Sequence, residues 1–387
     1  MPMKKFLAAI LCLALIVSFS LSAMAENVVK IGVYEPASGD SGAGGKQETL
    51  GIQYANSLQP TVEIGGETYT VELVYADNGS SADKAPSAAQ QLVSEGVSVV
   101  LGSYGSGVSI AGSPYFADAG IAAIGVSCTN PQVTANNTHY FRICFLDPFQ
   151  GTVLANYAYK TLGVTSAYCL AELGNEYDVG LCYYFKEAFE ALGGTVVSET
   201  FPTGTSDFTA YLNTATTLGA QVFFAPCSIA YSTQIIAQAS ALAVEYPLLG
   251  GDTWDSNKVV EVAKGTSLKI YVSTFYQEGG APDFDNGIKE WLNANPDMLT
   301  NNGGNDTVAA VSAMGYDAYF VALEALKLAG STDPVAVNAA IWDVSYLGVS
   351  GQISFAEPGD AIRDVAYIKE ANTETGAWDF VTVQSVE

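Results

Sequence analysis

Short β-rich runs alternate with longer helix-like segments along most of the chain, and that alternation limits the fold more than any other feature. Strand character falls at residues 28–34, 71–76, 97–102, 121–127, 166–171, 195–201, 220–225, 247–250 and 269–275. Helical spacing of apolar residues falls between them, at 85–94, 150–162, 180–192, 208–218 and 232–242. Strands alternating with helices predict parallel sheets covered on both faces, and several strands are continuous apolar runs as such burial requires. The series is long enough for two doubly wound α/β lobes, with a break expected near Asp147-Pro148-Phe149. Beyond it, helix-like segments 284–295 and 307–329 lie close together, and β-rich pieces at 352–355, 364–370 and 378–383 end the chain. Residues 295–306, with "NNGGND", read as a mobile loop.

The N-terminus follows a different pattern. Lys4 and Lys5 precede an almost wholly apolar stretch from residue 6 to 22, and Ala23-Met24-Ala25 offers small residues to a signal peptidase. Residues 1–25 are therefore expected to be a signal peptide and the protein to be exported, whether periplasmic, extracellular or attached to the cell surface. The apolar stretch is short for a membrane span, and Cys12 lacks the small-residue pattern of a lipoprotein cleavage site. The remainder carries 13 basic against 40 acidic residues, a formal charge of −27. Such a surface repels phosphate backbones and anionic lipid, which argues against nucleic-acid and membrane-surface partners.

The catalytic inventory is poor. "GDSGAGGKQ" at 39–47 imitates a phosphate loop, but Asp40 stands where a glycine is needed and Gln47 where a hydroxyl is needed. Gly105 and Gly107 begin a dinucleotide fingerprint that has no third glycine, and Ser106 lacks the flanking glycines of a nucleophile elbow. His139 is the only histidine, so any Cys–His or Ser–His mechanism, such as a hydrolase built on Cys128, would have to use it. Five cysteines remain after residue 25, too sparse and irregular for a disulfide framework; Cys169 and Cys182 are read as buried thiols, with a disulfide as the alternative. No CxxC or calcium-loop pattern is present, and neither metal nor cofactor is expected.

The turns after the strands are more informative, because doubly wound folds bind ligands beyond the carboxyl ends of their parallel strands. "SYGSGVS" follows 97–102 and leads into helix-like sequence, so its free N–H groups and the Ser106 hydroxyl suit a carboxylate. "CTNP" follows 121–127, where Thr129 can add a second hydroxyl and Pro131 stiffens the turn. In the second half, Tyr177 follows strand 166–171, while Asp252 and Trp254 follow the strand ending at Gly250. Asp252 can pair with a ligand ammonium group or cap the next helix.

These segments together resemble the periplasmic binding proteins of type I, in the branched-chain amino-acid-binding branch, which are the solute receptors of ABC importers. "IGVYEPASG", "YADNGSSADKAPSAAQQLVSEGVSVVLGS", "FRICFLDPFQG" and "GQISFAEPGDA" occur in the family's order. The resemblance implies two α/β lobes joined by three hinge crossings, near Asp147, Phe275 and Gly351. That gives residues 26–147 plus 276–351 to lobe 1 and 148–275 plus 352–387 to lobe 2. It implies an α-amino acid ligand, branched-chain or otherwise aliphatic, captured without chemistry and delivered by a monomer to a membrane permease. Its carboxylate would meet Ser106, Thr129 and the backbone near Gly107. Its amino group would meet the Ser127 carbonyl, Thr129 and Asp252, with Tyr177 closing from the second lobe. Tyr104, Trp254, Tyr276 and Tyr34 are further candidates for the side-chain pocket. The family's Trp near Gly44 and disulfide near Gly105 are both missing, and the missing Trp is expected to leave room for a larger or different side chain. An amide, a urea or a small aromatic acid is the alternative ligand, and a ligand-sensing protein the alternative role.

Overall fold

In the computed structural model, which describes residues 27–386, nine strands form one sheet and seven another; the expected signal peptide lies outside the described residues. The first sheet takes β1 (Val28–Glu35), β2 (Thr61–Ile64), β3 (Glu67–Asp77), β4 (Val99–Leu101), β5 (Ala122–Gly125) and β6 (Tyr140–Arg142). The second takes β7 (Ser166–Glu172), β8 (Thr195–Phe201), β9 (Val222–Phe224), β10 (Leu248–Gly250) and β11 (Ile270–Thr274). The chain then returns to the first with β12 (Ser345–Gly348), β13 (Gly351–Ala356) and β14 (Asp360–Ala361), and ends in the second with β15 (Ala366–Asn372) and β16 (Ala377–Gln384). Most of each sheet is parallel, in the orders β3-β1-β4-β5-β6 and β8-β7-β9-β10-β11; antiparallel strands finish both edges of the first sheet and the β16 edge of the second, while the β8 edge is parallel.

The chain thus crosses between sheets after Arg142, after Thr274 and after Ala361. The third crossing comes later than the expected position near Gly351, because β13 and β14 stay with the first sheet. An ion pair helps to hold them there. Asp360 lies opposite Arg142 in the pairing of β14 with β6, and its carboxylate meets the fully buried Arg142 guanidinium at 2.7 Å. Residues 352–361 therefore belong with the first lobe.

The stretch that imitates a phosphate loop opens the helix Gly42–Leu58, and its glycines serve packing. This helix crosses the helix Ala310–Ala329 so closely that a Cβ on Gly51 would lie 1.9 Å from the Ser312 carbonyl oxygen. From the other side, a Cβ on Gly315 would lie 2.3 Å from the Glu48 carbonyl oxygen. The supposed loop at 295–306 also departs from expectation, since it contains the helix Pro296–Asn301. The buried Asn302 side chain then donates to the carbonyls of Asn305 (2.8 Å) and Thr307 (2.9 Å) and accepts from Gln47 (3.2 Å). Cys169 and Cys182 are free thiols, and all five cysteines of the described residues are buried. No helix among the described residues is long and apolar enough to cross a membrane.

Substituting Gly51→Ala should overpack this crossing at a cost of about 1–3 kcal/mol. A lower thermal midpoint checks this; an unchanged midpoint would show that the two helices can separate freely.

Candidate functional site

Both sheets turn the carboxyl ends of their parallel strands toward a shared cleft, and the residues after those ends form its walls. β4 leads through Gly105, whose φ of +104° suits glycine, into the helix Ser106–Asp118. Ser106 stands in the first turn of that helix, where backbone N–H groups have no intrahelical partner. Its hydroxyl oxygen accepts from the Asn130 N–H at 3.1 Å, so its own hydrogen remains available to a ligand. β5 leads to Ser127 and Thr129, and the Thr129 hydroxyl is fully buried with no hydrogen-bond partner.

From the opposite sheet, β10 ends at Gly250, two residues before Asp252. The Asp252 carboxylate accepts from the Tyr177 hydroxyl at 2.8 Å and from the Gln150 amide at 2.9 Å. The same amide also donates to Ser273, at 2.8 Å. Tyr177 lies in the first turn of the helix Glu176–Ala191, capped by the Asn175 side chain. Ser106, Ser127 and Tyr104 from one side, and Tyr177, Asp178 and Asp252 from the other, line a small inner cavity of about 30 Å³. Next to it a larger cavity of about 460 Å³, with Gly107 on its wall, fills the mouth of the cleft. The two sides also touch directly: the Tyr104 hydroxyl reaches the Thr253 carbonyl at 3.4 Å, and the Asn130 amide donates to the Glu176 carbonyl at 2.8 Å.

The charge here is one-sided. Burial pushes the Asp252 carboxyl up to about 6, against the lowering effect of Gln150 and Tyr177. Burial likewise pushes Asp147 up to about 8, an effect the nearby Thr129 hydroxyl opposes. Behind the cavity, burial and mutual repulsion raise Glu35, and burial raises Glu48, so the pair favours holding a proton. Glu48 accepts from the Ser127 hydroxyl at 2.7 Å, and Glu35 from the Tyr104 N–H at 2.7 Å. Such a set favours a cation such as an ammonium and opposes an anion, except at the N-terminus of helix Ser106–Asp118.

Of the residues singled out in the sequence, Ser106, Gly107, Ser127, Tyr177, Asp252 and Tyr104 line the two cavities. Thr129 lies two residues beyond Ser127, is fully buried and lines neither, and three others lie away from the site. Tyr34 is buried within β1, its hydroxyl 2.9 Å from the Val108 carbonyl and 3.2 Å from that of Ala85, with its ring edge-on to Phe116. Trp254 is buried in the core of the second lobe against Gly250, and Tyr276 donates to Asp285 at 2.7 Å away from the cleft. The family resemblance was the signal for all three, each an aromatic residue within or just after a strand, and core packing accounts for each. Gly44 does not leave the expected extra room, because the Tyr104 ring packs over it, within 2.4 Å of where a Cβ would stand. Cys128 is fully buried, its thiol pushed up to about 11 by burial, and His139 is hydrogen-bonded to the neighbouring Thr138 at 3.3 Å. Sequence reasoning missed Glu48, Gln150, Asp178 and Ser228. A Gln or Glu set among small and apolar helix residues, as at Glu48 and Gln150, was the available signal.

This architecture has known relatives. Residues 28–376 match the family model of the periplasmic binding proteins. The chain belongs to that family. A Leu/Ile/Val-binding protein homologue of Brucella abortus is 27% identical to this binding protein over 362 residues, spanning 92% of this chain and 94% of its own. The leucine-binding protein LivK of Thermotoga maritima shares 31% identity and a TM-score of 0.82, covering 92% of this chain and 99% of its own. A solute-binding protein of an ABC transporter from R. palustris, solved with benzoate, shares the fold at 21% identity and a TM-score of 0.77, over 92% of this chain and 96% of its own. Periplasmic binding proteins are exported solute receptors of ABC transporters, and they are not enzymes.

The raised carboxyls set a pH dependence. Folded values near 6 for Asp252 and 8 for Asp147 lie above the ordinary 3.8, so the folded chain binds more protons than the unfolded one. Their contribution to stability is present below about pH 4 and is lost as pH rises through 6 to 8. Without ligand, the thermal midpoint should therefore be higher at pH 5 than at pH 8.5. Asp252→Asn, which keeps an acceptor and removes the charge, should narrow the gap by raising the midpoint at pH 8.5. A gap of unchanged size in that variant would contradict the assignment.

Proposed function

We propose that this binding protein captures an α-amino acid between its lobes and presents it to the membrane permease of an ABC importer. One observation carries the reading: a buried carboxylate on one lobe faces the N-terminus of a helix on the other. Asp252, held by Tyr177 and Gln150, suits an ammonium group. Ser106 and the first N–H groups of its helix suit a carboxylate. An α-amino acid presents both charges on one carbon. Because it meets groups of both lobes only when they are together, it favours the closed arrangement, and closure is the means of capture. The protein acts as a monomer on the outer side of the cytoplasmic membrane, in the periplasm or at the cell surface.

An aromatic acid such as benzoate satisfies the helix N-terminus but leaves Asp252 facing a ring with no cation to pair with, which costs free energy. The relatives named for Leu, Ile and Val support an amino acid and suggest a branched, aliphatic side chain. Isothermal titration with the twenty amino acids, benzoate and urea tests the class. Asp252→Ala should abolish amino-acid binding and leave the circular dichroism spectrum unchanged. An unaltered affinity in that variant would remove Asp252 from the ammonium site.

A further inference from the structure

The mouth of the cleft does not suit an aliphatic side chain. Its cavity of about 460 Å³ shares Tyr104, Ser106, Asn175 and Ser228 with the smaller cavity, so the two form one site. Four carboxylates line the mouth: Asp40 and Asp83 from the first lobe, Glu172 and Glu176 from the second. None of them takes part in an ion pair among the described residues. Lys84 runs along Gly79 at the rim and pairs with none of the four.

Two of these carboxylates converge from opposite lobes. The Tyr231 hydroxyl lies 3.3 Å from Asp40 and 3.2 Å from Glu172, and it also accepts from the Gly204 N–H at 2.9 Å. A phenol has a single hydrogen, so it cannot donate to both carboxylates at once. Burial and its acidic neighbours push the phenol up to about 12, so it stays protonated at neutral pH. Closing the lobes therefore brings two like charges around one donor, an arrangement that repels itself unless a cation joins it. A second observation points to a ligand. The Ser228 hydroxyl, 5% exposed and on the wall of both cavities, has no hydrogen-bond partner, and neither has Oδ1 of the fully buried Asp178 on the wall of the smaller one. A leucine side chain laid along this wall would leave those groups unpaired and the repulsion unrelieved.

We propose that the bound amino acid carries a cationic side chain whose charge sits between Asp40 and Glu172, beside the Ser228 hydroxyl. This rests on the amino-acid reading of the site and replaces the aliphatic side chain suggested by the relatives with an ammonium or guanidinium. The α-groups stay at Asp252 and the Ser106 helix, while the side chain runs outward from the inner cavity into the acidic mouth.

Isothermal titration of the mature protein with lysine, ornithine and arginine, beside leucine and norleucine, tests it. Norleucine matches the lysine chain without its charge. The expected result is at least tenfold tighter binding of one cationic amino acid than of norleucine, weakening as salt is added. Asp40→Asn should lower that affinity roughly tenfold, as loss of one charge-assisted contact does, and leave norleucine unchanged. Asp40 is exposed, so its substitution spares the fold; Glu172→Gln, whose carboxylate also accepts from Thr203 at 2.7 Å, serves as the second variant. Leucine or norleucine binding as tightly as the cationic amino acids would overturn this inference and leave amino-acid capture standing. No binding by any amino acid would overturn both. Cationic binding that neither variant weakens would overturn the placement between Asp40 and Glu172.

Discussion

The buried carboxylate of Asp252 is the constraint on which the rest of the site depends. It is 3% exposed, it accepts hydrogen bonds from Tyr177 and Gln150, and no cation among the described residues forms an ion pair with it. Two neutral donors reduce the cost of burying a charge but do not remove it, which is why its titration lies near 6. The nearby Asp255 shows the alternative: it is equally buried, but Lys369 reaches it at 2.9 Å and Thr274 donates at 2.5 Å. One acid is satisfied by the protein and the other is left for a visitor. The chain thus keeps a stability deficit that an ammonium-bearing ligand can relieve, and in the proposed capture the same charge links binding to closure.

The fold places that deficit where a visitor can reach it. Parallel strands in both sheets end at the cleft, so the turns after β1, β3, β4, β5, β7, β8, β9 and β10 supply wall residues, and helices begin there with free N–H groups. Gln150 lies two turns of sequence beyond the first crossing, on the helix Asp147–Asn156, and so ties the hinge region to Asp252. At the third crossing Arg363 donates to the carbonyls of Ile143 and Ser350, both at 2.7 Å, binding the passages to one another. Relative movement of the lobes is thereby confined to a few connected segments, as hinge closure requires. The acidic mouth extends the logic outward, since Asp40 of one lobe and Glu172 of the other meet around the Tyr231 hydroxyl.

Much of this was legible in the sequence. β8 begins and ends at the residues its β-rich run indicated, and β1, β7, β10 and β11 differ from theirs by one or two residues, because runs of strand-forming residues between polar turns leave few alternatives. Short elements escaped notice: β2, β12 and β14 have four residues or fewer, and their partners decide their conformation. The helix Gly42–Leu58 was hidden by glycines that suggested a loop, since only contacts made on folding, the Tyr104 ring over Gly44 and the Pro36 carbonyl against Gly45, explain why side chains are excluded there. At the site, Ser106, Ser127, Tyr177 and Asp252 were indicated by their position after strands and by a family resemblance. The inter-lobe approach of Asp40 to Glu172 was not, because residues so far apart in sequence meet only through the crossings. Tyr34, Trp254 and Tyr276 show the opposite error, in which a conspicuous aromatic ring is simply core.

The central claim is that an amino acid is held by both lobes at once and draws them together. Small-angle X-ray scattering of the mature protein, alone and with saturating lysine or leucine, tests it most directly. The radius of gyration should fall on addition of whichever amino acid calorimetry shows to bind. A radius that stays the same while calorimetry records full binding would contradict the claim.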